Sequence, residues 1–265
     1  MDKDQKSTSI RAVYRAVKIL VCLSNNTNTL TEIANCCGLT KPTVYRLMKT
    51  LDELHLVTQD PVTRHYYLGP LINQIASNPQ ANHHYLITSA LEEMKYLWDF
   101  SGETVELNIM VGVKYIRLHE IQSKFDLKVV QGPDPVGPIY VGATAKILLS
   151  QLNDEDLQIA MRNVDIRSVT EHSVTDKREL KNQIKQIRKQ GYSISHGERI
   201  SGALCISAPV SNYFWPVALS LIGPESRLQP TLEETLEKVK SSAHRISGNI
   251  KEYFKIKGVM DYQEK

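Results

Sequence analysis

Between residues 41 and 49 the chain carries Lys41, Thr43, Tyr45, Arg46 and Lys49, a concentration of cations and hydroxyls. Ammonium and guanidinium groups neutralise phosphate, an Arg fork matches the paired acceptors of guanine, and hydroxyls bond base edges, so this set suits duplex DNA. Such groups act together only if one element holds them on one side. Val44, Leu47, Met48 and Leu51 supply that element, since at i, i+3, i+4 and i+7 they fall on one stripe of an α-helix. The opposite face then presents Pro42, Thr43, Tyr45, Arg46 and Lys49, and no Asp or Glu occurs from Ile33 through Leu51 to weaken its field. Thr40 is placed to cap this helix, and Pro42 is tolerated in its first turn.

A second helix is predicted just before it, opened by Thr31 and turning Ile33, Ala34 and Cys37 inward. Gly38 then supplies the left-handed geometry of a helix end, so residues 30–51 read as a helix-turn-helix. Downstream, Leu54, Leu56 and Thr58 lead into an Asp60-Pro61 turn, and residues 63–68 return as a strand. That pair is a wing, with Arg64 and His65 just past its tip, in reach of phosphate or a minor groove. Upstream, Val13, Ala16, Val17, Leu20 and Leu23 mark a further amphipathic helix, with Arg11, Arg15 and Lys18 between them. The predicted DNA contacts are therefore Arg11, Arg15, Thr31, Thr40, Lys41, Pro42, Thr43, Tyr45, Arg46, Lys49, Arg64 and His65. Taken alone, a basic helix face is more often just solvated; the wing and the front helix around it favour the DNA reading.

Charge distribution points the same way. Residues 1–80 hold nine Lys or Arg against six acids, and the remaining 185 residues hold 23 of each, so the whole net charge of +3 falls in the first segment. One basic unit and one neutral unit imply two tasks. At 265 residues, with 42% hydrophobic and 23% charged residues, the chain has length and apolar content for two folded domains and not the composition of a disordered one. Four cysteines at 22, 36, 37 and 205 form no CxxC and have no His at zinc-ligand spacing, so reduced thiols, a cytoplasmic location and no metal site are expected. The polar start MDKDQKSTS lacks an apolar signal core, and no apolar run approaches a membrane span.

Residues 1–69 are thus expected to form a winged helix-turn-helix domain, and residues 70–82 a short linker helix followed by a Ser-Asn-Pro-Gln-Ala-Asn break. Residues 83–265 form the second domain. There a long helix carries Leu86, Ala90, Met94 and Leu97 on one face, and residues 103–121 alternate as a hairpin around Gly112, with Val105, Leu107, Ile109 and Val111 on one side. Further strands are expected at 192–195, 203–210 and 217–222, and helices at 144–152, 177–190 and 232–254. The fold class is α+β, with an antiparallel or mixed sheet flanked by helices.

Several motifs now bear on identity: RAVKIL, LTEIANCCGLTKPTVYRLMKTL and YYLGP in the first half, and GETVELNIM, GPIYVGATAKILLS, GYSISHGE, LCISAPV and ALSLIGP in the second. In this order the chain resembles the IclR family of bacterial transcriptional regulators from about residue 9 to 255. The resemblance implies a winged helix on a palindromic double-stranded operator, a GAF-like effector-binding domain for a small molecule, and self-association as a dimer or tetramer. It also implies effector contacts at Val129, Tyr140, Gly142, Ala143, Thr144, Ser195, Ala203, Cys205 and Ser220, with His196 and Glu198 close by. Where the family usually shows a His-Ala-Thr/Ser run and a Gly before the Lys, this chain has Tyr140, Val141, Gly142 and then Ala145 before Lys146, which points to a different ligand.

Gly142, Ala143 and Thr144 open a helix, whose first N–H groups suit an anion, with an ordinary helix start as the plain alternative. With mostly neutral hydroxyls around it, a small carboxylate fits better than a phosphorylated or cationic effector. Cys205 and His196 would be the only nucleophile and base to offer an enzyme, but Cys205 lies in an apolar run where a thiol is a small buried hydrophobe. No catalytic residue and no cofactor is expected, and His83-His84 reads as a solvated linker end. The competing readings are an enzyme that acquired a DNA-binding head and an adaptor whose winged helix binds protein.

Overall fold

The computed structural model describes residues 10–129, 132 and 135–257, so the charged amino-terminal positions 2–6 counted above lie outside the described residues. The chain divides into two compact units, Met1–Asn82 and His83–Lys265.

In the first unit α1 (Arg11–Ser24), α2 (Leu30–Cys37) and α3 (Lys41–Glu53) are followed by a two-stranded antiparallel wing, β1 (Val57–Gln59) and β2 (Tyr66–Leu68), and by short helices α4 (Pro70–Ile75) and α5 (Pro79–Asn82). Ile33, Ala34 and Cys37 of α2 and Val44, Met48 and Leu51 of α3 are buried, as their spacing required, and Leu47 packs at the margin. Helix α2 starts one residue earlier than expected. Its cap is Thr29, whose hydroxyl accepts the Glu32 N–H at 3.2 Å while Glu32 accepts the Thr29 N–H at 3.0 Å. Thr31 lies exposed inside the first turn. Gly38 closes α2 at φ 64°, the left-handed conformation the turn into α3 needs.

Helix α1 buries only part of the face its sequence suggested, rotated so that Val13 and Val17 are left outside. Ile19, Cys22 and Leu23 are its buried residues, with Ala16 and Leu20 partly packed, whereas Val13 and Val17 are 59% and 51% exposed. Ile10, Tyr14 and Val21 are exposed beside them, so α1 carries two apolar stripes, and periodicity alone cannot tell which one faces the core. A second correction concerns the thiols. Cys22 of α1 and Cys36 of α2 are joined in a disulfide, because α1 packs across the end of α2 and brings together positions 14 apart in sequence.

The second unit is built on a six-stranded, all-antiparallel sheet in the order β5-β4-β3-β8-β7-β6, made of β3 (Thr104–Val111), β4 (Lys114–Ile121), β5 (Val136–Pro138), β6 (Ser193–His196), β7 (Ala203–Val210) and β8 (Val217–Pro224). Helices α6 (His84–Ser101) and α11 (Leu232–Lys257) cover one face. Leu86, Ala90, Met94 and Leu97 meet Val105, Leu107 and Ile109 there in a continuous core. Val111, expected with them, is half-exposed at the end of β3, where the strand leaves the covered area. Helices α7 (Gly142–Ser150), α8 (Asp154–Asn163) and α9 (Lys177–Gln190) cover the other face through a second cluster that includes Ile147, Leu148, Leu157 and Ile184. Helix α8, the short α10 (Glu225–Leu228) and strand β5 were not legible in the sequence pattern.

The capping box gives a stability expectation. Thr29→Ala removes the hydroxyl that accepts the exposed Glu32 N–H and should cost about 0.5–2 kcal/mol in the first unit, read as a lowered thermal-unfolding transition; an unchanged transition would show the cap to be idle.

Candidate functional site

Two surfaces collect the residues singled out by sequence. On the first unit, Lys41, Pro42, Tyr45, Arg46 and Lys49 stand exposed along α3, opposite its buried stripe. Thr40 sits at the N-cap position, its carbonyl accepting the Val44 N–H at 3.0 Å, but its hydroxyl pairs with the Thr43 hydroxyl at 3.0 Å and caps nothing. Arg11 and Arg15 of α1 line one shallow concavity with Thr43 and Arg46, so the front helix and α3 present a common basic face. Thr31 is exposed on α2 and is not among the residues lining that concavity.

The wing is ordered by Asp60, whose carboxylate accepts the N–H groups of Val62 and Thr63, each at 2.8 Å. Those bonds favour the ionised form and hold this carboxyl below its usual range. Arg64 follows at φ 61°, a left-handed conformation unusual for a side-chain-bearing residue, with its carbonyl held by the Gln59 amide. The returning strand therefore begins at Tyr66 and not at residue 63, and His65 lies half-buried before it.

On the second unit, a narrow cleft with about 30 Å³ of room for water-sized contents is lined by Gly142, Ala143, Thr144, Ser195, Ala203 and Cys205, six of the expected effector residues. Ser220 lies behind them, in a buried hydroxyl chain that runs from Thr144 to Ser220 at 2.9 Å and on to Ser207 at 2.7 Å. Val129 and Tyr140 are not in the lining; Tyr140 packs on the α7–α9 core. The remaining wall was missed by the motif matching and includes Tyr115, Arg199, Ile200 and Ile222. One of the cleft's charged neighbours did leave a trace, because Lys146 is a lone cation in the apolar run of α7.

Gly142 adopts φ 85° at the start of α7 and turns the first two N–H groups toward the cleft. They are already engaged. Glu198 accepts the Gly142 N–H at 3.2 Å and Ser195 accepts the Ala143 N–H at 3.0 Å. The second oxygen of Glu198 meets the buried Lys146 ammonium at 2.5 Å. A carboxylate of the chain thus occupies the anion seat that the sequence offered to a ligand. The surroundings are more charged than the hydroxyl inventory suggested, since the half-buried Arg199 guanidinium lies over the Tyr115 ring at 5.5 Å, its pKa lowered by burial.

Beneath the cleft, Glu106 pairs in register with Ser220 on β8 and is fully buried. Burial pushes its carboxyl up to about 7, against the opposing pull of Arg117 at 3.5 Å and an Asn108 amide bond at 3.3 Å. Asn108 Oδ1 is buried with no hydrogen-bond partner among the described residues. His196 turns to Glu225 at 2.7 Å, and His83, expected to be solvated, is buried and bonded to the Tyr213 hydroxyl at 2.7 Å. Cys205 is held as a neutral thiol, its pKa pushed up to about 11 by burial.

A basic winged helix joined to a sheet domain with a small cleft defines a one-component transcriptional regulator, in which one unit meets DNA and the other a small molecule. Residues 12–61 match the IclR helix-turn-helix domain and residues 80–248 match the bacterial transcriptional regulator IclR C-terminal domain; the chain belongs to the IclR family. It is 26% identical over 253 residues to the HTH-type transcriptional regulator KdgR of Escherichia coli, covering 94% of this chain and 96% of that one. An IclR-family regulator from Rhodococcus sp. superposes with a TM-score of 0.70 at 23% identity, covering 94% of this chain and 97% of the other. An IclR homologue from Microbacterium hydrocarbonoxydans, solved in complex with 4-hydroxybenzoate, has a TM-score of 0.58 at 19% identity and covers 90% and 98%. Those two likenesses establish the shared fold. Among the described residues no helix is long and apolar enough to cross a membrane.

The raised Glu106 carboxyl has a sign that can be checked. Its folded value, about 7, lies above the ordinary glutamate value of 4.5, so between these the folded state binds more protons and stability falls as pH rises. Glu106→Gln should flatten the fall in melting temperature of the second unit between pH 5 and 7; a wild-type slope that persists in the variant would assign it to another group.

Proposed function

We propose that this protein is a cytoplasmic transcriptional switch that reads an operator with α3 and the wing and takes a small organic carboxylate in the α7 cleft. The observation that carries the effector class is the seat of Glu198. Two polar anchors, the α7 N-terminus and the buried Lys146, already converge on one carboxylate, so the cleft has the donors for another. An effector acid competes with Glu198 for that seat, and its displacement moves the loop between β6 and β7. A relative solved in complex with 4-hydroxybenzoate supports an organic acid as the effector class. The thiol in the cleft, Cys205, is neutral and a poor nucleophile, which supports a regulatory role.

On the DNA side, Arg46, Thr43 and Lys49 enter the major groove, Lys41 and Tyr45 flank them, and Arg11, Arg15, Arg64 and His65 hold phosphates. Pairing of two heads is supported by α1, where Ile10, Val13, Tyr14, Val17 and Val21 form an exposed apolar stripe at helical spacing. A two-fold pair of heads matches a palindromic operator.

Arg46→Ala should weaken operator binding by about 1–3 kcal/mol with a smaller effect on random duplex. Arg64→Gly keeps the left-handed turn that Arg64 occupies and should instead weaken both duplexes alike, lowering the salt dependence by about one charge. Fluorescence anisotropy across a salt series separates the two, and equal losses for Arg46→Ala on both duplexes would remove it from base readout. In the cleft, Glu198→Ala strands the buried Lys146 and should lower the melting temperature of the second unit. Added acetate, benzoate or 4-hydroxybenzoate should restore part of it and ethylamine none; failure of all three acids to restore it would reject the shared seat.

A further inference from the structure

Three of the four cysteines of this chain lie together in the DNA-binding unit, a cluster the regulatory reading does not use. The sulfurs of Cys22, Cys36 and Cys37 all fall within 4.8 Å of one another, where the end of α1 crosses the last turn of α2. They differ in access. Cys22 and Cys37 are 2% and 6% exposed, whereas Cys36 faces solvent. Cys37 is a free thiol 3.6 Å from the Cys22 sulfur, and burial raises its pKa, which keeps it protonated and a poor nucleophile. Lys18 reaches the Cys37 carbonyl at 3.2 Å, placing a cation at this helix end.

We propose that Cys36 is a site of oxidative modification by hydroperoxides and that Cys22 is its resolving thiol. The reduced Cys36 thiolate attacks the outer peroxide oxygen; an S–O bond forms, the O–O bond breaks, and the alcohol or water leaves. Sulfur is oxidised by two electrons to the sulfenic acid and the peroxide is reduced. Cys22 then attacks that sulfur, the S–S bond forms, and the hydroxyl departs as water with the Cys22 proton. The product is the Cys22–Cys36 cross-link seen in the structure, which ties α1 to the end of α2 just before the Gly38 turn into α3. Exposure assigns the first step to Cys36, and adjacency assigns the second to Cys22. The neighbouring Cys37 stays outside the cross-link as a free, buried thiol 3.6 Å from the Cys22 sulfur.

The test uses the full chain, reduced with dithiothreitol, desalted under nitrogen and titrated with hydrogen peroxide, with thiol counting and peptide mass mapping. Two of four thiols should disappear with one Cys22–Cys36 cross-linked peptide, and Cys37→Ala and Cys205→Ala should lose two thiols at the same rate. Cys36→Ser, an exposed and near-isosteric change, should retain its three thiols at that peroxide dose, with a circular dichroism spectrum confirming the fold. The proposal is overturned by four thiols surviving peroxide, by Cys36→Ser losing thiols at the wild-type rate, or by a Cys36 sulfenic acid trapped by dimedone that never closes on Cys22. Binding of one Cu(I) by the three thiols that leaves them inert to peroxide would also overturn it, making the cluster a soft-metal site.

Discussion

The ion pair of the buried Lys146 and the partly buried Glu198 is the constraint on which the cleft of the second unit depends. An ammonium and a carboxylate withdrawn from water are tolerable only when each is fully engaged, because desolvation costs several kcal/mol per ion. Lys146 sits on α7, among apolar neighbours that cannot solvate it, so Glu198 must reach in from the β6–β7 connection. In doing so Glu198 also accepts from the Gly142 N–H, and the start of α7, the sheet edge and the connecting loop become one assembly. A regulator needs an element with two arrangements that a ligand distinguishes, and in the proposed switch that element is the Glu198 carboxylate on its seat.

Below that pair the sheet has two characters. Its α6–α11 face holds a continuous apolar core, with Val105, Leu107 and Ile109 alternating into it, while the same strand turns Glu106 and Asn108 toward the cleft side. The price of that polarity is visible in the raised Glu106 carboxyl and in the unpartnered Asn108 oxygen. The hydroxyl chain of Thr144, Ser220 and Ser207 satisfies its own members by contrast, and it closes the floor without charge.

In the DNA-binding unit the constraint is different: three short helices share a small core, and each keeps its other side for something else. Helix α3 keeps cations and hydroxyls, and α1 keeps a second apolar stripe. The wing depends on one carboxylate, Asp60, and on a left-handed Arg64, so its geometry comes from local hydrogen bonding and not from a core.

Local rules made much of this legible. The i, i+3, i+4, i+7 stripe of α3, the Gly38 turn and the alternation in β3 each rest on interactions within a few residues, and the structure follows them at Val44, Met48, Leu51, Leu107 and Ile109. Family motifs likewise located six of the cleft residues. Contacts between distant segments were not legible. Which of two apolar stripes α1 buries depends on α2 and α3 together. Cys22 finds Cys36 because two helices cross. Glu198 fills the anion seat because a loop 52 residues from Lys146 folds over α7. The sequence by itself determined most of the longer elements, the two-unit plan and the family, because periodicity, capping and turn chemistry act over one or two turns of chain. Tertiary structure alone decided what each polar group meets, because pairing energies fall off within a few ångströms, and that proximity is created only by the completed fold.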